Sequence, residues 1–585
     1  MSDARSAPRR RLGWLAGATT FLLLASMLAA GPAPALTPCT SPPATISQAK
    51  LTPGTLGTGL TTLDGTTPVP FDFEVVGTIP DGWMLGLDAI VIHVTGPSSF
   101  LDATGGVFFG MSGSPTYVNG KLAGAVSGVF WDDPTFGVLT PAKAMLEVLE
   151  SAQGSPLSLA RTIRPTEEVR RAMARELRVA PSEVTGTFQQ LPTPLGVAGL
   201  PPAKVRELQA RLDERGENFF VYSGSAARAS ASAVTPIPFA PGEPLGAAIS
   251  YGDASLYATG TATFTCGDYV VAFGHPFFWD APGEVSLGLA GAEGLMLVKG
   301  GQGLWPGYRF ALLTEPRGTV TQDRFAGIAG VVGQEPSAVP VRSHLMSRDS
   351  GARRAGLTEA IHTWGWWLEY IVWGHLWLNY SAVLGHYPAE GTADLAWTIS
   401  GTTAEGPFTI SNHWMTYSEW DATDVIWRLL SAIDVLQFND LEDVTFTGIS
   451  THGTITKDEL VGEMTRLRVA STSQPDLRSR ATLLARPGDV VTVQALLDLA
   501  EGGTQAITAS FRVPRGTSGD HRIVVRGGKE RGLWEDFSSF DDLVRTLNGG
   551  EHPDDLVIAG LGRTRLRPQD LLIEGRDAFR LRIVR

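Results

Sequence analysis

The sequence has few of the residues that hold metal ions or bind nucleic acid. It contains only two cysteines in 585 residues, and its ten histidines are scattered without the paired spacing of a zinc site. Acidic side chains outnumber basic ones by 60 to 47, and the resulting net charge of -13 argues against a nucleic-acid partner. A glycine-rich phosphate-binding loop of the Walker type is also missing. The sequence therefore predicts no metal, no other cofactor and no nucleic acid.

Charged residues are scarce as well, at 18%, whereas hydrophobic residues make up 43%. These proportions are typical of folded domains and exclude a largely disordered chain. A chain of this length exceeds what a single core supports, so we expect two to four domains. The 67 glycines and 38 prolines favour a turn-rich, mainly β protein.

The N-terminus has the pattern of an export signal. Arg9–Arg11 precede an apolar run over Leu12–Ala30, and Ala33-Pro34-Ala35 provides a small-x-small cleavage site. Residues 1–35 are therefore predicted to be a signal peptide, and the protein to be secreted or extracytoplasmic. The apolar run is about as long as a membrane span needs, so an uncleaved anchor, and with it membrane or cell-wall association, stays open.

The motif Gly110-Met111-Ser112-Gly113-Ser114-Pro115 is typical of the nucleophile loop of chymotrypsin-like serine peptidases. A serine hydroxyl attacks well only when a base takes its proton and hydrogen-bond donors receive the oxyanion. We expect Ser112 to be the nucleophile and the N–H groups of Gly110 and Ser112 to form the oxyanion hole, with Met111 and Gly113 shaping the loop. The alternative is a structural Gly/Ser-rich turn.

A second motif offers a general base. His275 ends the strand-like run Tyr269–Phe273 at a Gly274-His275-Pro276 break. A strand end holds a side chain in a fixed position, which suits His275 as a general base. The alternative is that His275 is a buried histidine with a structural role. His93, in an alternating apolar strand, is a weaker candidate for the same role.

Together, the two motifs resemble the SpoIVB peptidase family of chymotrypsin-like serine peptidases over roughly residues 50–335. The resemblance implies a double β-barrel, Ser112 as nucleophile, His275 as base and a protein or peptide as substrate. The order departs from the family pattern, since the serine-bearing half here precedes the histidine-bearing half. Triads are defined by geometry, so two barrels can tolerate such a swap.

The acidic member of the triad is the second departure. The family's aspartate falls on the stretch Val94–Pro97, which carries no carboxylate. Asp102 is the nearest acidic residue and is the possible third member. Asp268, Asp280 and Asp323 are further candidates on the histidine side. Without such a group the site is a dyad, or the fold is catalytically degenerate.

The two cysteines, Cys39 and Cys266, would lie in an oxidising compartment after export. A disulfide between them would tie the mature N-terminus to the histidine-bearing half. Two unpaired thiols are the alternative, because sequence does not give their separation.

The fold class that we expect is mainly β, a chymotrypsin-like double β-barrel with a helical insertion, followed by an α/β accessory region and a β-sandwich-like module. Periodicity predicts helices over Thr166–Val179 and Pro201–Gly216, and another over Asp424–Phe438. The expected segments are a signal peptide (1–35), a Ser-bearing barrel half (36–150), a helical insertion (151–230), a His-bearing barrel half (231–345), an aromatic-rich α/β region (346–442) and a β-sandwich-like module (443–585).

The sequence therefore predicts an exported serine endopeptidase. One alternative is a degenerate peptidase fold that acts as a cell-surface binding scaffold. Another is a glycan-binding or glycan-cleaving wall protein, which would rest on the tryptophan cluster at 364–377 and on carboxylates such as Glu369 and Asp394.

Overall fold

A computed structural model describes residues 36–150, 160–224, 239–279, 283–300, 306–529, 537–567 and 569–584. The predicted signal peptide lies outside the described residues. Within the ranges that are described, no helix is long and apolar enough to cross a membrane.

The first barrel contains the serine motif. Its six antiparallel strands follow the order β4-β1-β2-β3-β6-β5, and pairing of β4 with β5 closes the ring. Side chains that alternate along the strands, such as Phe71 and Phe73, fill the interior. The elements are β1 (Leu56–Thr61), β2 (Val69–Met84), β3 (Leu87–Gly96), α1 (Ser98–Thr104), β4 (Pro115–Val118), β5 (Lys121–Phe130), β6 (Phe136–Pro141) and α2 (Ala142–Glu150).

Residues 160–224, the described part of the predicted helical insertion, form short strands as well as helices. Both predicted helices form, and the first is capped by Thr166, whose hydroxyl accepts the N–H of Val169. The four strands of this region are only two to six residues long, so their sequence carries little periodicity of its own. The described elements are β7 (Thr162–Ile163), α3 (Glu167–Leu177), β8 (Phe188–Gln190), β9 (Thr193–Ala198), α4 (Pro202–Glu214) and β10 (Phe219–Gly224).

Those four strands belong to the two barrel sheets. β7 and β8 extend the first sheet through β5, whereas β9 and β10 extend the second. The region between the barrels therefore links them through strands as well as helices.

The second barrel contains the histidine motif. Its strands follow the order β12-β13-β16-β15-β14-β11, and β11 pairs with β12 to close a second antiparallel ring of six. The elements are β11 (Pro244–Gly252), β12 (Leu256–Cys266), β13 (Tyr269–Ala272), β14 (Gly283–Val298), β15 (Tyr308–Arg324) and β16 (Gly327–Val332). Two six-stranded barrels in sequence confirm the predicted double-barrel fold.

The aromatic-rich region continues the second sheet, since β18 pairs with β11 at the barrel edge. The tryptophan-rich segment forms α5, where Trp367, Tyr370 and Trp377 are buried against the sheet. Trp364, ahead of the helix, is exposed. The elements are β17 (Val339–Ser347), β18 (Arg353–Ala360), α5 (Trp367–Leu384), β19 (Gly391–Thr403), β20 (Gly406–Ser418), α6 (Ile426–Gln437) and β21 (Thr445–Thr456).

The C-terminal module is a sandwich of two five-stranded sheets, in agreement with the sequence expectation. Alternating residues such as Val491, Val493 and Val525 build the core between the sheets. The elements are β22 (Val461–Ser471), β23 (Gln474–Arg478), β24 (Thr482–Ala485), β25 (Val490–Leu499), β26 (Thr504–Arg512), β27 (Gly519–Gly527), α7 (Phe540–Leu547), β28 (Leu556–Ala559), β29 (Arg563–Leu566), β30 (Leu572–Glu574) and β31 (Arg576–Ile583).

Candidate active site

The serine motif forms a tight loop that leads into β4. Gly110 and Gly113 have φ values of +94° and +90°, in the left-handed region that disfavours side chains. A Cβ atom on Gly113 would lie 2.1 Å from the Thr261 carbonyl oxygen and 2.4 Å from the Phe273 nitrogen. Both glycines are therefore required by the backbone, and at Gly113 the second barrel approaches too closely for a side chain.

Strand β12 of the second barrel holds the carbonyl groups of this loop. The Thr261 N–H donates to the Ser112 carbonyl at 2.9 Å, and the Thr261 hydroxyl donates to the Gly110 carbonyl at the same distance. The Thr263 hydroxyl donates to the Gly113 carbonyl at 2.7 Å. Sequence reasoning missed both threonines, because contacts about 150 residues apart leave no local signal.

The N–H groups of the loop divide into used and free donors. Those of Met111, Gly113 and Ser114 donate to backbone carbonyls at 3.1, 2.8 and 3.0 Å. Those of Gly110 and Ser112 make no hydrogen bond to any residue that the structure describes. The two free donors are the pair expected to receive an oxyanion.

The histidine loop meets the serine loop at one carbonyl group. The Val126 carbonyl on β5 accepts the Gly113 N–H, and it lies 3.0 Å from where a Cβ atom on Gly274 would stand. The Thr140 hydroxyl on β6 donates to the Gly274 carbonyl at 2.6 Å. Each barrel thus holds the other's functional loop, and Ser112 and His275 lie on loops that converge between the barrels.

His275 has the tautomer that a general base needs. Its Nδ1 lies 2.8 Å from the Pro276 carbonyl, which can only accept, so the proton is on Nδ1 and Nε2 carries the lone pair. Burial lowers the pKa of His275 to about 4, against a smaller opposing effect of the Pro276 hydrogen bond. The imidazole is therefore neutral at pH 7.

The two reacting atoms are both buried and unpartnered. Neither Ser112 Oγ nor His275 Nε2 has a hydrogen-bond partner among the described residues, and so they do not bond each other in this state. Both side chains are fully shielded from solvent. Catalytic hydrogen bonds often form only in the complex with substrate, and here the loops must also admit the substrate.

No carboxylate orients the His275 ring in the described part of the chain. The side chain of Asp102 is exposed on α1 and makes no hydrogen bond to His275. Asp268 lies in the turn before β13, where its carbonyl accepts the Val332 N–H. Asp280 lies outside the described residues. The group that orients the ring is the Pro276 carbonyl.

Asp323 instead anchors the backbone of the histidine loop. This buried carboxylate accepts the N–H groups of Phe277 and Phe278 at 2.7 and 2.8 Å. The carboxylate of Glu217 accepts the next N–H, that of Trp279, at 2.9 Å. Three consecutive N–H groups after His275–Pro276 are therefore fixed by acidic side chains.

His93 lies away from the place where the serine and histidine loops meet. Its ring stacks on Phe136 with centroids 4.5 Å apart, and its Nδ1 lies 3.8 Å from a carboxylate oxygen of Glu176 on α3. No contact joins it to Ser112 among the described residues, so the structure does not support it as the base.

Cys39 and Cys266 form a disulfide bond. It ties the segment before the first barrel to the end of β12, the strand that also carries Thr261 and Thr263. This is the first of the two arrangements that the sequence left open.

The acidic residues of the glycan hypothesis lie apart from each other. Glu369 lines a cavity of about 1180 Å³ beside Phe278 and Trp366. Burial and a hydrogen bond with Asp434 raise the pKa of Glu369 to about 8. Glu369 and Asp434 are therefore in direct contact. The two carboxyl groups of a retaining glycosidase are ~5 Å apart, so this pair does not have the geometry of such a site. Asp394 faces His413 and Asp554 instead.

One group of residues away from the serine loop has metal-binding chemistry. Ligand-type atoms of His413, His552 and Asp554 lie within 4.8 Å of one another at the junction of β20 and the C-terminal module. His413 Nε2 pairs with the Asp554 carboxylate at 3.2 Å, and His552 Nε2 bonds Asn412 at 2.7 Å. His413 and Asp554 thus pair with each other, whereas His552 Nε2 is bound by Asn412, and the cluster joins β20 to the C-terminal module.

Residues 42–146 match the family model of the SpoIVB peptidase S55. This segment comprises the first barrel with the complete serine loop and ends before His275. The resemblance to SpoIVB peptidases is thus shown for this part of the chain. Neither a curated protein nor a solved structure matches the chain.

Proposed function

We propose that the protein is an exported serine endopeptidase of the SpoIVB type, with Ser112 as nucleophile and His275 as general base. The observation that carries the proposal is the convergence of an unpartnered serine hydroxyl, a neutral imidazole Nε2 and two free N–H groups. The SpoIVB peptidase match over the serine-bearing barrel supports a peptidase reaction on a protein or peptide.

In the proposed reaction, Ser112 Oγ attacks the substrate carbonyl carbon while His275 Nε2 takes the hydroxyl proton. The carbonyl oxygen becomes an oxyanion and accepts the N–H groups of Gly110 and Ser112. His275 then gives its proton to the leaving amine, and the acyl group stays on Ser112. Water hydrolyses the acyl-enzyme with His275 again as base. The Pro276 carbonyl keeps the ring in the required tautomer throughout.

Labelling with a fluorophosphonate tests the nucleophile. We expect the folded wild type to be labelled, and labelling to be lost in Ser112→Ala and in His275→Ala. Ser114→Ala is the matched control, since Ser114 is a buried serine of the same loop whose hydroxyl donates a hydrogen bond to the Thr61 hydroxyl. Labelling that persists in Ser112→Ala would refute the assignment.

A binding scaffold is the second candidate, because both reacting groups are shielded from solvent and no carboxylate of the described residues contacts the imidazole. A folded wild type that resists the reagent would favour this function. The same comparison of variants therefore decides between the two candidates.

We also infer that the chain is exported, from the signal-like N-terminus and the disulfide bond. The mass of the N-terminal peptide of the exported protein tests this inference. Cleavage after Ala35 is expected, whereas a retained Leu12–Ala30 run would indicate a membrane anchor, and retention in the cytoplasm would refute export.

A further inference from the structure

Arg309, on β15, is a fully buried cation beneath the serine loop. Its Nη1 donates to the Thr62 carbonyl at 3.0 Å and its Nη2 to the Gly260 carbonyl at 2.5 Å. Both nitrogens also lie 3.5 Å from the Thr261 hydroxyl. All of these partners are uncharged, and no carboxylate of the described residues forms an ion pair with Arg309.

The charge is present at neutral pH, although burial lowers the pKa of Arg309 to about 10. A buried charge without a counter-charge is strongly disfavoured, and three neutral oxygen acceptors compensate it only in part. One donor, Nε, has no hydrogen-bond partner among the described residues. The site therefore holds positive charge in excess of what the described residues neutralise.

That excess charge lies against Gly110. A Cβ atom on Gly110 would stand 3.4 Å from Arg309 Cβ and 3.7 Å from the unpartnered Nε. The Thr261 hydroxyl, which faces the guanidinium, donates to the Gly110 carbonyl. The guanidinium thus lies next to Gly110, whose N–H group is one of the two expected oxyanion donors.

The backbone of Arg309 also sets the direction of that donor. Its N–H donates to the Phe109 carbonyl at 2.9 Å. In a trans peptide the carbonyl and the following N–H point in opposite directions, so this bond turns the Gly110 N–H away from the backbone N–H of Arg309. The backbone of Arg309 thus orients the Phe109–Gly110 peptide, and its side chain places a positive charge next to Gly110.

We propose that Arg309 is a positioning residue whose fixed charge balances the oxyanion formed at the Gly110 and Ser112 N–H groups. The inference rests on the proposed function and adds a residue to it. When the Ser112 Oγ–carbon bond forms, the carbonyl π pair moves to oxygen and the proton moves to His275 Nε2. Negative charge then appears on the side of the loop opposite the guanidinium, which stabilises it through the Gly110 peptide.

Saturation kinetics of a fluorophosphonate separate this role from a structural one. With this reagent the Ser112 Oγ–phosphorus bond forms, fluoride leaves, and His275 takes the hydroxyl proton. The maximal labelling rate reports the charged transition state, and the half-saturating concentration reports binding of the neutral reagent. We compare Arg309→Met, Arg309→Gln and Arg309→Lys, with Arg324→Met as the matched control because Arg324 is buried on the same strand and bonds Gln322.

Arg309→Met and Arg309→Gln should lower the maximal labelling rate by about 10- to 100-fold and leave the half-saturating concentration unchanged. This loss is smaller than the loss expected when a direct oxyanion donor is removed. Arg309→Lys, which keeps the charge, should recover part of the rate, and Arg324→Met should resemble the wild type. Circular dichroism establishes whether each variant is folded. If Arg309→Met does not fold, the comparison of Arg309→Gln with Arg309→Lys still tests the role of the charge.

Equal maximal rates in the wild type and the uncharged variants would overturn the inference and leave the proposed function intact. A rise in half-saturation with no fall in maximal rate would overturn it too, since it indicates a role in shape alone. An unlabelled wild type would refute the proposed function, and this inference with it.

Discussion

At the scale of single residues, the candidate site depends on a small number of atoms without partners. Ser112 Oγ, His275 Nε2 and the N–H groups of Gly110 and Ser112 have no hydrogen-bond partner among the described residues, whereas the other N–H groups of the serine loop, those of Met111, Gly113 and Ser114, are bound. Buried polar atoms are usually satisfied, so these four groups on converging loops support the proposed site.

The low pKa of His275 predicts how labelling depends on pH. The neutral imidazole is the active base, and its pKa of about 4 lies below the usual 6.5 because the ring is buried. The labelling rate should therefore rise as pH increases through about 4 and stay level from pH 6 to 8. Rates measured between pH 3.5 and 8 test this, and a midpoint near 6.5 would show that the ring is solvated in the reactive state.

Gly113→Ala should destabilise the fold by about 2–4 kcal/mol, since it adds a Cβ atom 2.1 Å from the Thr261 oxygen at a φ of +90°. Gly120→Ala is the control. Gly120 lies in the same barrel at a φ of +71°, but a Cβ atom there meets nothing within 4 Å, so about 1 kcal/mol is expected. Urea unfolding measures both variants, and equal losses would contradict the close approach.

The sequence predicted this residue-scale site unevenly. The Gly110–Pro115 motif and the Gly-His-Pro break are local, and so Ser112 and His275 could be named. Thr261, Thr263 and Arg309 act through contacts between barrels, which a single sequence does not reveal. The motifs predict a carboxylate as the group that orients the imidazole, whereas in the structure the Pro276 carbonyl bonds the ring.

At the scale of elements, short loops held by the opposite barrel explain the geometry. β12 holds the serine loop, Thr140 on β6 holds the histidine loop at Gly274, and Asp323 holds the segment after His275. α3 and α4 were predictable because they are amphipathic and have defined starts. β7 to β10 were not, because strands of two to six residues are too short to show a clear period in the sequence.

Asp323→Asn should slow labelling by about tenfold while the protein remains folded. An asparagine offers one acceptor oxygen where the carboxylate offers two, so one of the Phe277 and Phe278 N–H groups loses its partner and the His275 loop loosens. Asp268→Asn, in the turn before β13, is the control. An unchanged rate in Asp323→Asn would mean that the loop does not need this anchor.

At the scale of the whole molecule, the double barrel continues into a larger sheet. Strands β17 to β21 join the second barrel, and the buried face of α5 packs on them. The aromatic spacing of this helix favours packing on a β-sheet over a membrane-facing or glycan-binding surface, and the packing partners confirm the core role for its buried face. The family resemblance predicts the two closed barrels. The pairing of β18 with β11, which extends the second barrel into the larger sheet, has no signal in the sequence.

The disulfide predicts a further property of the whole molecule. Cys39 and Cys266 are 227 residues apart, so the bond constrains a long loop in the unfolded chain and should stabilise the fold by about 3–5 kcal/mol. Cys39→Ser/Cys266→Ser should melt at a lower temperature than the wild type and respond no further to reductant. A wild type whose melting temperature is unaffected by reduction would contradict this expectation.

The central claim is that Ser112 is an activated nucleophile, and mass spectrometry after fluorophosphonate treatment tests it most directly. We predict one adduct per chain, on the peptide that contains Ser112, and none when His275 is replaced by alanine. An adduct on another residue, or a folded wild type without any adduct, would contradict the account.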